Sequence, residues 1–305
     1  MHTAIVTGGA GFIGTHLVER LAAECADVTA LDNFKRGSVE KLSQSRHSGR
    51  VRLVEADVRN YADLPAAMAG CEVVFHLAAQ SNVMGAVDDP EYSITTNVLG
   101  TFNVLRAAAA VGVRRVVFAS SREVYGDPRQ LPVAEDHPLL AKNAYGASKV
   151  AGEAYCRSFV TDYHLDVAVV RLTNVYGGGD SGRVIPLWIS AARANRELHV
   201  YGGEQIIDFL WVGTAVEALV HAARHGLVEP VNIGSGRGTR IMDLAARILA
   251  LTRSSSRIIR TPARELEVAR FIADISRMRS LGLEPDVDPL KHLEEILESY
   301  PAQSG

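Results

Sequence analysis

The chain opens on a short β-branched run, Thr3-Ala4-Ile5-Val6-Thr7, that leads directly into glycines at positions 8, 11 and 14 and then into an apolar segment. That order restricts the fold sharply. A strand, a glycine-rich turn and a helix in succession form the first half of a βαβ unit. Glycine allows the tight turn, lets backbone approach a pyrophosphate, and permits close helix–strand packing. The helix N-terminus adds free N–H groups and the positive end of a dipole, which suit a pyrophosphate. Gly8, Gly11, Phe12, Ile13 and Gly14 are therefore the expected cradle of a dinucleotide. A glycine turn with no ligand has the same spacing, so the flanking strand and helix carry the reading.

Further β-branched runs follow at Val28–Leu31, Val51–Val54, Val73–His76, Val116–Ala119 and Val167–Arg171, separated by Ala- and Leu-rich segments such as 11–26 and 97–111. Strands alternating with helices imply a parallel sheet buried on both faces. The pattern loosens after Arg171. A glycine-rich loop at 177–182, a helix near 186–195 and a strand near 198–201 come next. Residues 209–212 and the helix 214–225 look like sheet-type elements again. The expected fold class is α/β: a doubly wound parallel (Rossmann) sheet with a smaller C-terminal α/β cap that binds substrate. The expected division is 1–174, with a return segment at about 205–235, and a cap from the remainder of 175–305. No repeat or low-complexity tract interrupts it.

The second strand ends at Leu31-Asp32-Asn33. An acid there, about 20 residues past the glycines, hydrogen-bonds the adenosine ribose and repels a 2′-phosphate. NAD is therefore favoured over NADP, although Lys35 and Arg36 follow closely. Asp57-Val58 at the third strand end and Leu77-Ala78-Ala79 at the fourth lie where ligands bind in such sheets.

Chemistry enters with Ser120-Ser121-Arg122-Glu123-Val124-Tyr125-Gly126 and Tyr145-Gly146-Ala147-Ser148-Lys149. Tyr145 and Lys149, spaced i, i+4, share one helical face. An ammonium beside a phenol favours phenolate and lowers its pKa, which makes Tyr145 a candidate general base. Ser121 can hydrogen-bond the same substrate hydroxyl.

These motifs, with Asp89-Pro90, Thr96–Thr101, Asn174-Val175-Tyr176-Gly177, Asn232-Ile233-Gly234 and Ala273-Asp274-Ile275, resemble the extended short-chain dehydrogenase/reductase family, in its branch of nucleotide-sugar epimerases and dehydratases. The resemblance covers nearly the whole chain. It implies that Tyr145 takes the proton from a sugar hydroxyl, usually at C4, while hydride passes to bound NAD and a transient 4-keto sugar forms. In an epimerase the keto sugar turns over and the hydride returns to its other face. Lys149 would also bind the nicotinamide ribose, and Asn97 would support the site. The resemblance adds Phe34, Lys35, Gln80, Ser120 and Leu172 to the cofactor contacts. It assigns Asn174, Val184, Tyr201 and Arg264 to a nucleotide-diphosphate sugar, a UDP-sugar foremost, with Arg183 as a substitute for the diphosphate-binding arginine that this chain lacks at Ile207. It further implies a homodimer through the helices of Asn97–Val111 and Tyr145–Tyr163.

Three departures bear on the substrate. Ile207 stands where the family usually has a diphosphate-binding arginine. Gly213-Thr214 replaces the acidic start of the next helix. Val83-Met84-Gly85-Ala86 lacks the polar side chains often found in that substrate loop. Glu123 matches the base of 4,6-dehydratases and a residue of UDP-glucuronate decarboxylases; it is equally an ordinary hydrogen-bonding glutamate beside the loop. Arg122 cannot act as an acid, because a guanidinium stays protonated. It has a second reading as partner for a substrate carboxylate.

The leading expectation is an NAD-dependent nucleotide-sugar 4-epimerase. Dehydration and decarboxylation of the keto sugar are the alternatives, and a non-catalytic dinucleotide-binding regulator is the remote one. A net charge of −3 carries no footprint for nucleic acid. No run of about 18 apolar residues suggests a membrane span, and no signal peptide is apparent. Cys25, Cys71 and Cys156 are too scattered for a disulfide framework or a metal site, as expected of a cytoplasmic protein. His221 and His225, at i, i+4, are read as ordinary helix residues, so no metal is expected.

Overall fold

The computed structural model describes residues 1–24, 27–43 and 48–300. The end of the expected helix 11–26 and Cys25 lie outside them. Thirteen strands are present among the described residues: β1 (Thr3–Thr7), β2 (Asp27–Asp32), β3 (Val51–Glu55), β4 (Val73–His76), β5 (Arg115–Ser121), β6 (Asp166–Leu172), β7 (Asn174–Tyr176), β8 (Leu198–Tyr201), β9 (Ile206–Ile207), β10 (Phe209–Trp211), β11 (Val231–Ile233), β12 (Thr239–Arg240) and β13 (Ile258–Thr261).

Seven of them form a parallel sheet in the order β11-β6-β5-β4-β1-β2-β3. The chain runs outward from β1 through β2 to β3, then crosses to β4 and continues the other way. That crossover is the topological switch point at which dinucleotides bind in such sheets. β4 and β5 are buried along their whole length, which is why they read as continuous apolar runs. β3 closes one edge and exposes Arg52 and Glu55, side chains that discourage further strand pairing.

The six strands expected from the first half of the sequence are all present, and Ser121 pairs in register with Leu172. The seventh is different. Phe209–Trp211 pairs with Asn174–Tyr176 in a separate two-stranded sheet, and Val231–Ile233 completes the main sheet beside β6. Only three residues long, β11 offers too little periodicity to be recognised locally. Helix Val212–His225 does pack back on the sheet as expected, against helix Phe12–Ala22 and strands β5 and β6.

The C-terminal part has its own core. Trp188, Ile189, Leu198, Val200, Leu244, Ile248 and Leu293 are buried together, each such side chain contributing about 1.5–3 kcal/mol. There the β8–β13 parallel pair and the β9–β12 antiparallel pair form small sheets. Cys71 and Cys156 are free thiols, and burial pushes both thiol pKa values up. No helix among the described residues is long and apolar enough to cross a membrane.

Candidate active site

A cavity of about 1310 Å³ runs from the glycine loop, past the ends of β5 and β6, into the C-terminal part. Gly8 lies in the left-handed region (φ +72°) and gives its N–H to Leu31 O at 2.8 Å. A Cβ there would sit 2.8 Å from Ala78 N, and one at Gly14 would sit 2.1 Å from Gly8 O. At Gly11, which lines the cavity, a Cβ would meet only Gly8 O, at 3.2 Å. Internal packing thus demands glycine at 8 and 14 and scarcely at 11. A bare backbone at 11 fits a pyrophosphate that must come close. Helix Phe12–Ala22 begins there with no side-chain cap, so its first N–H groups remain for an anion.

Asp32 lines the same cavity. Its oxygens accept N–H groups of Ala10 (3.0 Å) and Phe34 (2.8 Å). Burial pushes its pKa up and these hydrogen bonds oppose the rise. A carboxylate holds about four acceptor positions, which leaves room for a ribose diol. Phe12, Ile13, Asn33, Lys35, Val58, Leu77, Ala78, Ala79, Ser120 and Leu172 also line the cavity.

Phe34, Asp57, Gln80 and Asn97 do not line it. Phe34 adopts φ +54°, packs on the core, and serves Asp32 through its N–H. Burial acts to raise the Asp57 carboxyl, but hydrogen bonds from Arg59 and Asn33 prevail and hold it at about 2. Asn97, on a π-helical turn Thr95–Leu99, clamps the Gln80 backbone from both sides and gives a hydrogen bond to Ser148 Oγ at 2.9 Å. Strand-end position does not separate wall from support, because both kinds of residue occupy it.

Three buried side-chain atoms lack a partner among the described residues: Thr96 Oγ1, Thr173 Oγ1 and Asn174 Oδ1. All three residues line this cavity. Unpaired buried polar atoms are costly, by about 1–3 kcal/mol each. Thr173 belongs to none of the motifs, and Thr96 opens the Thr96–Thr101 motif with no role attached to it.

Ser121, Tyr145 and Lys149, the residues expected to react, line the cavity where β5 ends. Helix Ala144–Tyr163 is capped by Asn143, whose Oδ1 accepts the Gly146 N–H at 2.9 Å, and it presents Tyr145 and Lys149 toward Ser121. Lys149 is 3% exposed and gives Nζ to Ala119 O at 2.8 Å. Burial pulls its pKa down to about 8, against the attraction of Cys156 and Glu153.

Tyr145 departs from expectation. Within the chain alone burial pushes its pKa up, and the lowering influences are chiefly Arg183, the Ser121 hydrogen bond and Arg122, while Glu123 raises it. Lys149 does not dominate, because its ammonium is bound to Ala119 O, lies 6.0 Å from the phenol ring centre, and is itself pulled toward neutrality.

Behind this corner lies a buried network. Glu153, one turn beyond Lys149, accepts from Ser120 Oγ (2.5 Å) and from Arg171 Nε and Nη2 (2.9 and 2.7 Å). Arg171 also reaches Tyr125 Oη (2.8 Å), which donates to Asn232 Oδ1 (2.6 Å). Helix Ala144–Tyr163, β5, β6 and β11 are thereby tied together.

Directly after Ser121, Arg122 and Glu123 pair with each other at 2.8 Å. Asn174, Arg183, Val184, Tyr201 and Arg264 line the cavity as expected. The Arg264 guanidinium lies 3.8 Å from the Tyr201 ring centre and is paired with Glu267 at 3.1 Å. That contact covers one face of the tyrosine with a cation. Ile207 also lines the cavity, and the neighbouring Asp208 is fully buried under hydrogen bonds from Ser235, Gly236 and Ala273. Helix Val212–His225, which starts without the usual acid, has no side-chain cap. The His221 and His225 rings lie 4.5 Å apart on it.

A dinucleotide cradle joined to a Tyr-Lys-Ser corner defines an NAD-type epimerase or dehydratase cleft. The chain belongs to the NAD dependent epimerase/dehydratase family, whose model matches residues 4–234. It is similar to UDP-glucose 4-epimerase of Mycolicibacterium smegmatis, at 36% identity with 97% of each chain covered. It is also similar to UDP-N-acetyl-alpha-D-glucosaminuronate decarboxylase of Bacillus cytotoxicus, at 34% identity with 97% of each covered. Among solved structures, UDP-glucose 4-epimerase of Thermotoga maritima with UDP-glucose superposes at TM-score 0.92, with 30% identity, 97% of this chain and 98% of that one. A dTDP-glucose 4,6-dehydratase of Streptomyces venezuelae with NAD bound also superposes at 0.92, with 28% identity, 97% of this chain and 96% of that one. NAD is the cofactor of this family.

Proposed function

We propose that this chain is a nucleotide-sugar 4-epimerase. The observation that carries the reading is the state of Glu123. Both of its oxygens are engaged, one by Arg122 at 2.8 Å and one by Asn143 Nδ2 at 2.8 Å. That anchoring ties the Glu123 carboxylate to Arg122 and Asn143, whereas epimerisation needs only the Tyr145 corner.

We read residues 1–174 and about 205–235 as the dinucleotide half and the rest as the sugar-nucleotide half. Gly8, Gly11 and Gly14, the N-terminus of helix Phe12–Ala22 and Asp32 would hold NAD. When bound, NAD supplies a two-electron acceptor with a positively charged ring. Ser121 Oγ holds the C4 hydroxyl against Tyr145 Oη, which takes its proton as the carbinol becomes a ketone. Burial holds the Tyr145 pKa up and leaves it protonated, so cations must oppose it; Arg183 opposes it only in part from within the chain. Asn174 and Arg183 meet the diphosphate.

The test is product mass after incubation with UDP-glucose, UDP-N-acetylglucosamine, dTDP-glucose and UDP-glucuronate. Unchanged mass with a new C4 epimer is expected. Loss of water or of carbon dioxide as the main outcome overturns the assignment in favour of the dehydratase or decarboxylase reading.

A further inference from the structure

Arg122 and Glu123 form the first part of a tight turn, Arg122–Tyr125, directly after Ser121, and both line the cavity. Their side chains are only 11% and 8% exposed, with Arg122 Nη2 at 2.8 Å from Glu123 Oε1. Glu123 Oε2 accepts Asn143 Nδ2 at 2.8 Å, and Asn143 is itself fixed as the cap of the catalytic helix. The Arg122 guanidinium also lies 5.5 Å from the Phe271 ring centre. Neither charge is free to swing into solvent.

A guanidinium facing a sugar pocket is what a carboxylate would seek, because charge-assisted pairing is strong and directional. Here that place is taken by a carboxylate of the chain itself. A uronic acid entering the cleft would have to displace Glu123. The displaced anion would then lie buried beside a second one, with Asn143 still holding it in place. Like charges desolvated together are strongly disfavoured. A neutral hexose meets no such obstacle, since the pair is neutral overall.

We propose that the Arg122–Glu123 pair is a specificity-determining element: Glu123 masks the arginine, so the cleft accepts neutral hexopyranoses and refuses uronic acids. This rests on the nucleotide-sugar reading above and names the sugar class within it.

The experiment is calorimetric binding of UDP, UDP-glucose and UDP-glucuronate to the NAD-loaded protein, which does not depend on turnover. The wild type should prefer UDP-glucose over UDP-glucuronate by at least about tenfold. Glu123→Gln keeps the shape and unmasks Arg122; the preference should move toward UDP-glucuronate by about 30-fold, the scale of one charged hydrogen bond. Glu123→Gln combined with Arg122→Gln should return to within about threefold of wild type. Arg122→Gln alone leaves an unpaired anion and should widen the preference for UDP-glucose, a check that stands even if Glu123→Gln fails to fold. A preference unmoved in both single variants overturns the masking, as does a shift that persists in the double variant. UDP binding with an unmoved preference sinks the masking alone. Absence of binding by UDP and by both sugars sinks the nucleotide-sugar reading with it.

Discussion

Replacing Glu153 with alanine tests the network behind the catalytic corner. Glu153 and Arg171 are 8% and 4% exposed, and the carboxylate accepts three hydrogen bonds, from Ser120 Oγ, Arg171 Nε and Arg171 Nη2. Alanine removes all three. Arg171 keeps Tyr125 Oη and the Glu135 carbonyl, both neutral, so its charge is buried without a counter-ion. Breaking a buried pair on one side costs about 3–5 kcal/mol. Against a total of about 5–15 kcal/mol, that is a large share. Glu153→Gln, which keeps an acceptor and loses the charge, should cost about 1 kcal/mol, near the difference between charged and neutral hydrogen bonds. Glu153→Met with Arg171→Met should recover most of the alanine loss, because apolar groups of similar volume replace buried pairs at little cost. Urea unfolding of the three variants and the parent provides the comparison. An alanine variant that loses under about 1 kcal/mol, or a double variant no better than alanine alone, would refute the account of a desolvated pair held by its own partners.

The other predictions concern the site more directly. Tyr145→Phe should lower turnover by about 10²–10⁴-fold, the usual yield of a positioned acid–base group, while UDP-glucose affinity measured by calorimetry changes little. Gly11→Ala should fold with a melting temperature near the parent's and lose NAD affinity by tenfold or more; Gly14→Ala, whose Cβ would lie 2.1 Å from Gly8 O, should lose both, as thermal melts with and without NAD will show. Lys149 has a folded pKa of about 8 against 10.5 unfolded, so the unfolded chain binds more protons between those values. Stability from this group therefore rises with pH from about 8 to about 10.5, and Lys149→Met should remove that rise from urea midpoints measured across the window.

Much of the site is legible in the amino-acid order alone. The glycine spacing, the acid closing β2 and the Tyr-x-x-x-Lys pair all depend on short stretches of chain, where local geometry dictates residue type. The lining of one cavity by Gly8, Asp32, Ser121, Tyr145, Arg183 and Arg264 agrees with that reading. Long-range pairing is not legible. Asp57 and Asn97 occupy strand-end and helix positions that suit a ligand equally well, yet their side chains are engaged by Arg59 and Asn33 and by Gln80 and Ser148. Nor does an i, i+4 spacing reveal that Lys149 is tied to Ala119 O, or that Arg183, 38 positions from Tyr145, acts on the phenol more strongly.

By itself the amino-acid order determined the parallel sheet and the dinucleotide turn and singled out Ser121, Tyr145 and Lys149, which line one cavity, because periodicity, glycine placement and strand-end chemistry are local properties. Tertiary structure alone decided which charges neutralise which: Arg122 with Glu123 and Arg171 with Glu153. It also decided that the short strand Val231–Ile233 completes the sheet. A charge's partner is set by distance and burial, and neither is written in the spacing of residues along the chain.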